Sequence, residues 1–318
     1  LDTRRLQSFV KIVDTGSVTR AADLLHIAQP ALSQQLAALE AQFKQKLLIR
    51  SPQGVVPTKA GQTLYRHAHA ILKQLDQAHL DVARSADSLT GRVTVGLAPY
   101  SVASTLSMSL LSAVRQRHPG ILLHINESFS GPYSELIMTG RMDMAVIHGA
   151  GPIKGVQFAP LLVEEFFLVA PVGQPLPGKA SDPVALEDIA ELPLLLPSQV
   201  NFVRKAVDSA FAQTKRAPRL VAEVEALDTL RDAVAAEIGC AILPESVASR
   251  MVLPGRSRLR PIKTPVIEDT VSLCVSDHLA LSEPAAAVHA VLADLAGRLA
   301  ASGTIKRSLT SGEVPAGA

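Results

Sequence analysis

The chain has 318 residues, 47% of them apolar, which allows two or three domains with real cores. Two isolated cysteines, Cys240 and Cys274, exclude a disulfide framework or a zinc cluster and read as buried thiols. The densest apolar run, residues 192–196, falls far short of the roughly 20 residues a membrane span needs. The net charge of +2 hides an asymmetry: residues 1–61 carry eight bases against four acids, and the remainder 23 bases against 25 acids, which points to a polyanionic partner for the N-terminal segment alone.

In chain order, Leu6, Phe9, Val10 and Val13 recur at helical spacing and predict a first helix that starts at Asp2 and stops at Gly16. Ser17 caps a second, with Val18, Ala21, Ala22 and Leu25 turned inward. Pro30 opens a third as its first helical residue, and Leu32, Leu36, Leu39 and Phe43 form its core face. Residues 47–50 and 55–57 flank a tight turn and predict a two-stranded wing. Residues 58–87 read as a long helix with apolar positions Leu64, Ala68, Ile71, Leu72, Leu75, Ala78 and Val82. Such a stripe suits a second copy of the chain, or more plainly a surface of its own chain.

Residues 88–91 read as a hinge, after which strands and helices alternate. Strands are predicted at 92–98, 121–127, 142–148, 166–170, 194–196, 220–225, 240–243 and 270–275. Helices are predicted at 101–118, 133–139, 201–214, 228–237 and 283–299. The alternation implies parallel sheets with crossover helices, in two similar halves with a cleft between them. Residues 302–318 read as a disordered tail.

The third helix carries a second stripe, Pro30, Ser33, Gln34 and Ala37, with neither charge nor bulk. Gln bonds an adenine edge in two places and Ser pairs with several bases, so this face suits the major groove. Gln29 stands at the positive helix end, and Arg20, Lys44, Arg50 and Lys59 flank it to meet phosphates. The spacing fits a solvent-facing polar stripe equally well.

Residues 17–40, SVTRAADLLHIAQPALSQQLAALE, closely resemble the signature of LysR-type transcriptional regulators, as do Leu48-Ile-Arg50 and the run Pro57-Thr-Lys-Ala-Gly61. The resemblance implies an α+β multidomain fold: a winged helix-turn-helix (1–61), a linker and dimerisation helix (58–87), a hinge (88–91) and a two-subdomain α/β domain of the periplasmic-binding-protein type (92–301). Subdomain I would be 92–161 with 267–301, and subdomain II 162–266. It places Ser17, Arg20, Gln29, Pro30, Ser33, Gln34, Arg50, Gln53 and Lys59 at the DNA; Gln53 departs from the basic residue that many members carry in the wing. It further implies double-stranded DNA with two-fold-related half-sites, a homodimer through 58–87 and a homotetramer. Contact with RNA polymerase, a small-molecule effector, activation or repression in the cytoplasm, and no cofactor are implied as well. Residues 27–40 and 47–58, with VGLAP, MDMAV and ILPES, are similar to the nitrogen-assimilation branch of the family.

Ligands of α/β folds sit at strand C-termini. That selects Tyr100, Ser101 and Ser104 after one strand, Ser128 and Gly131 after the next, and Ser198, Asn201 and Phe202 in the other half, suited to a carboxylate or other anion. Ser and Asn at helix starts are also ordinary caps, and Tyr100 and Phe202 could plug the cleft. No nucleophile elbow, phosphate loop or zinc-protease motif is present. Glu164 and Glu165, neighbours in a strand, point to opposite faces and make a poor catalytic pair. The competing readings are a regulator of another pathway with an anionic effector, a cytoplasmic solute receptor and an α/β enzyme.

Overall fold

The structure is a computed structural model. It describes residues 2–52, 54–82, 89–127, 133–149, 151–179, 182–301 and 306–307. Helix α1 (Thr3–Thr15) starts where the Asp2 carboxylate accepts the Arg4 N–H, and it stops at Gly16, whose φ of 63° is the left-handed conformation glycine adopts without cost. Ser17 caps α2 (Val18–Leu25). Helix α3 (Gln29–Phe43) follows Ala28, which offers no side-chain cap, so Pro30 is its second residue rather than its first. Strands β1 (Leu48–Ser51) and β2 (Gly54–Pro57) form the wing, and α4 (Lys59–Val82) leaves it.

One core joins these elements: Leu6, Phe9 and Ile12 of α1, Ala21 of α2, Leu32, Leu36 and Leu39 of α3, Leu47, and Leu64 and Ala68 of α4. Two expectations change here. Phe43 is 41% exposed, because α3 runs past the edge of this small core. The first turns of the α4 stripe are spent inside the chain, since Leu64 and Ala68 roof α1 and α3; Ile71, Ala78 and Val82 stay exposed. The roof is close. A β-carbon at Gly61 would lie 2.0 Å from the Leu47 carbonyl oxygen.

The larger module begins with β3 (Gly91–Leu97). The helix expected at 101–118 divides into a 3-10 turn (Val102–Leu106) and α5 (Ser107–Arg117). The hydroxyls of Ser104, Thr105 and Ser107 bond carbonyls three residues back, favouring the tighter winding. Strand β4 (Ile121–Asn126), α6 (Tyr133–Met138) and β5 (Met144–His148) complete a parallel β4–β3–β5 set. Then β6 (Val156–Pro171) runs for 16 residues. The second half contributes β7 (Val184–Ala185), α7 (Leu186–Ile189), β8 (Leu194–Leu196), α8 (Phe202–Gln213), β9 (Leu220–Glu223), α9 (Leu227–Ala235), β10 (Ala241–Pro244), α10 (Glu245–Met251) and β11 (Ser257–Lys263). Strand β12 (Glu268–Ser276) and α11 (Glu283–Ala301) return to the first half.

The sheet is mixed rather than parallel. Strand β12 runs antiparallel to β5 and to residues 156–165 of β6, while β10 and β11 run antiparallel to residues 166–171 of β6. The partner change falls at Glu165–Phe166, four residues beyond the expected subdomain boundary at 161/162, because β6 crosses between the halves without a loop. A bulge at Leu161 absorbs the register shift beside Pro160, which could not serve as an ordinary ladder donor. Within the expected tail, β13 (Lys306–Arg307) pairs with β6 opposite Leu162 and Val163, on the edge β12 leaves open. Residues 302–305 and 308–318 lie outside the described residues, as do Ser88 of the hinge and the last turns of the expected long helix.

Side-chain bonds hold α4 against the first half, among them that of Gln77 Nε2 to the Thr90 carbonyl at 3.4 Å. Lys73 Nζ lies 2.6 Å from Asp143 Oδ1 and donates to the Gly140 carbonyl at 3.3 Å, while Asp143 Oδ2 accepts the Thr94 N–H at 2.8 Å. Arg141 reaches the Tyr65 hydroxyl, which donates to Asp14 of α1.

Candidate nucleic-acid interface and interdomain cleft

Burying Leu32, Leu36 and Leu39 turns the opposite side of α3 outward. Gln29, Pro30, Gln34 and Ala37 are exposed, and Ser33 is half-buried. The Gln29 Nε2 donates to Ser33 Oγ at 3.0 Å, so the two polar groups lie together one turn apart. Ser17 is committed to capping, accepting the Arg20 N–H at 3.3 Å. Arg20 at the first turn of α2, Arg50 on the wing, Lys59 at the start of α4 and Lys44 just past α3 are all exposed. Gln53 lies outside the described residues.

Three positioning groups escaped the sequence reading. Gln35 Oε1 accepts the buried Ser8 hydroxyl at 2.5 Å and fixes α3 on α1. Glu40 Oε1 accepts the Leu47 and Leu48 N–H groups, and its other oxygen pairs with Lys46 at 2.7 Å, tying the wing to the end of α3. Burial works against its ionisation, but Lys46 and those amides hold its carboxyl below the ordinary value. The Val55 N–H donates to the Gly16 carbonyl at 2.8 Å, seating the wing on the α1–α2 turn. No local spacing announces these bonds, because each joins elements that only the fold brings together.

In the cleft, most of the expected ligand groups are already occupied. Ser101 is fully buried, caps the 3-10 turn through the Ala103 N–H and donates to the Ala98 carbonyl. Ser104 donates to the Ser101 carbonyl. Asn201 caps α8 through the Val203 N–H. The Ser198 N–H goes to Glu225. Tyr100 is fully buried and donates to the Val224 and Glu225 carbonyls across the halves, and Phe202 stacks on the His148 ring at 3.7 Å. Ser128 and Gly131 lie outside the described residues. Glu164 is buried instead of sharing a surface with Glu165, so the pair has no common substrate face. No group of metal-ligating side chains occurs among the described residues.

The profile of the bacterial regulatory helix-turn-helix protein, lysR family, matches residues 3–62, and that of the LysR substrate binding domain matches residues 86–297. The chain belongs to the LysR family. Two curated relatives match it over nearly its whole length. The nitrogen assimilation regulatory protein nac of Klebsiella aerogenes is 40% identical over 298 residues, 94% of this chain and 96% of that one. The protein of the same name from Escherichia coli strain K12 is 42% identical over 292 residues, 92% of this chain and 94% of that one. Among solved structures, a full-length cysteine-to-aspartate variant of OxyR from Pseudomonas aeruginosa superimposes with a TM-score of 0.68 at 26% identity, covering 93% of this chain and 97% of that one.

This LysR chain is therefore a transcriptional regulator and not an enzyme. Its winged helix-turn-helix and two-part α/β domain are those of the family. No helix among the described residues is long and apolar enough to cross a membrane. Its cysteines are buried, and burial pushes the Cys240 thiol up to about 11 and the Cys274 thiol to about 12, far from a reactive thiolate at neutral pH.

Proposed function

We propose that this regulator reads DNA with the outward face of α3 and controls genes of nitrogen assimilation. The observation that carries the DNA reading is the side of α3 formed by Gln29, Pro30, Gln34 and Ala37, exposed and uncharged, on a module whose Arg20, Arg50 and Lys59 are exposed as well. Small residues let the helix backbone approach base edges, Gln34 and Gln29 supply donor–acceptor pairs, and the basic side chains meet phosphates. The uncapped N-terminus of α3 leaves N–H groups for a phosphate.

Two chains pair through the outer part of α4, where Ile71, Ala78 and Val82 are exposed on the continuation of the stripe. A two-fold dimer then presents two α3 helices to half-sites about one helical turn apart, or a multiple of that. The dimers join into a tetramer that acts in the cytoplasm and contacts RNA polymerase. The nitrogen assignment rests on the two relatives at 40% and 42% identity over nearly the whole chain.

Genome-wide mapping of bound sites in nitrogen-rich and nitrogen-poor growth, with wild type and Gln34→Ala, tests both parts. Wild type is expected beside nitrogen-supply genes at two-fold-related sites, and Gln34→Ala is expected to relax one base position in each half-site, by about 1–3 kcal/mol of discrimination. Sites beside unrelated pathways would remove the nitrogen assignment. An unchanged motif for Gln34→Ala would remove α3 as the reading helix.

A further inference from the structure

The ring of His148, at the end of β5, is 1% exposed and lies between two carboxylates. Its Nε2 is 3.3 Å from Glu164 Oε2, and its Nδ1 is 3.4 Å from Asp269 Oδ2. Neither contact has hydrogen-bond geometry, so the two carboxylates favour the imidazolium over the neutral ring by charge, one on each side. Phe202 covers the ring face, with planes 14° apart, as an aromatic ring covers a cation. His148, Glu164 and Asp269 belong to the half built on β3, β5 and β12. Phe202 comes from α8 in the other half, and so does Ser246 of α10, whose hydroxyl donates to Glu164 Oε1. Glu164 Oε2 also accepts the Val102 N–H at 2.9 Å.

We propose that the cleft between the two halves is a site for an organic cation, filled from within by the His148 imidazolium, which bolts the halves together. The chemistry it selects is an imidazolium or a small protonated amine, and not the carboxylate that a cluster of helix starts implies. The charged groups around it support this choice. Glu164 faces the ring from β6 and Asp269 from β12. Glu245 stands on α10, its carboxyl pushed up by burial and by Glu165 and Glu164. Against them, Lys205 of α8 lines a shallow pocket shared with Glu268 and Asp269, and Arg250 of α10 is turned to the Ser104 hydroxyl. Asp269 is 30% exposed at its side chain.

Burial alone would lower the His148 pKa, but Asp269 and Glu164 outweigh it and hold the imidazole above the ordinary histidine value. The sign follows. The bolt contributes in full below the unfolded pKa of about 6.5 and is lost as pH rises through the raised folded value.

Thermal unfolding of the full-length chain tests the proposal. Between pH 6 and 9, wild type is expected to lose stability as His148 deprotonates, and His148→Asn to lack that loss. At pH 6.5, imidazole is expected to raise the melting temperature of His148→Gly saturably, by about 3–6 °C at tenfold over its dissociation constant, with acetate without effect. Equal pH slopes in wild type and His148→Asn would overturn the bolt. A rise from acetate matching that from imidazole, or an equal rise from imidazole in wild type, would overturn the cation site. Should His148→Gly fail to fold, nitrogen-15 spectra of wild type decide: two protonated ring nitrogens on His148 at pH 7 are expected, and a single neutral tautomer refutes the proposal.

Discussion

Removing the Lys73 ammonium tests whether the linker helix is clamped to the regulatory domain. Asp143 has 4% of its side chain exposed, and its partners are Lys73 Nζ at 2.6 Å and the Thr94 amide at 2.8 Å. Breaking a fully buried ion pair costs about 3–5 kcal/mol, because the remaining charge is left in a poor solvent. Lys73 is 34% exposed, so water takes up part of that cost, and roughly 2 kcal/mol is expected for Lys73→Met. Asp143→Asn keeps an acceptor for Thr94 and leaves the ammonium a path to water, so about 1 kcal/mol is expected. The double variant should cost less than the sum by about 1–2 kcal/mol. Hydrogen exchange of the peptide covering residues 66–78, and of the Thr94 amide, reads the opening of α4 from the sheet without assuming that the whole chain unfolds in one step. A coupling below about 0.5 kcal/mol would mean that α4 stands away from the sheet in solution and that the clamp is not formed.

Three further outcomes are expected. Gly61→Ala drives a methyl group into the Leu47 carbonyl and should lower the stability of the helix-turn-helix module by about 1–3 kcal/mol in thermal melts; a wild-type melt would mean that α4 does not sit on the wing. Tyr100→Phe removes the hydroxyl that reaches the Val224 and Glu225 carbonyls, and should cost about 1 kcal/mol in urea unfolding and speed proteolysis between the halves; an unaltered midpoint would show that this contact is not made. With thiols at about 11 and about 12, Cys240 and Cys274 should react with a colorimetric disulfide reagent at pH 8 at least about a hundredfold more slowly in the folded chain than in urea, and rapid native labelling of either would contradict their burial.

The helix-turn-helix was legible because its signals are local. Asp2 and Ser17 cap where a cap is predicted, Gly16 stops α1, and the buried stripes follow from the 3.6-residue period. Phe43 obeys the same period and is exposed, since periodicity identifies a face but not where the core beneath it ends. Leu64 and Ala68 belong to a stripe that looks like a partner surface, and only the approach of α4 at Gly61 reveals that they close the chain's own core. Strand β6 was half hidden: a strand was expected only over 166–170, whereas β6 starts at Val156. Pro160 falls beside a bulge, and Glu164 is tolerated because His148 meets it. That meeting, like those of Glu40 with the wing and Lys73 with Asp143, depends on topology, which no short motif encodes. Among the polar groups proposed for a ligand, Ser101 and Asn201 cap helix starts, as the plainer reading has it, and the Ser104 hydroxyl bonds a carbonyl instead.

The 16 residues of β6 also set the terms on which the regulatory domain can change shape. A domain whose halves meet only through loose connectors can open like a book with a slack spine. Here one extended segment is woven into the ladders of both halves and switches neighbours between Glu165 and Phe166, so any rotation of one half must twist a single continuous ribbon. Large separations would tear ladder bonds on one side or the other. Motion should therefore come as a small torsion centred on those two residues, transmitted directly to Glu164 next door.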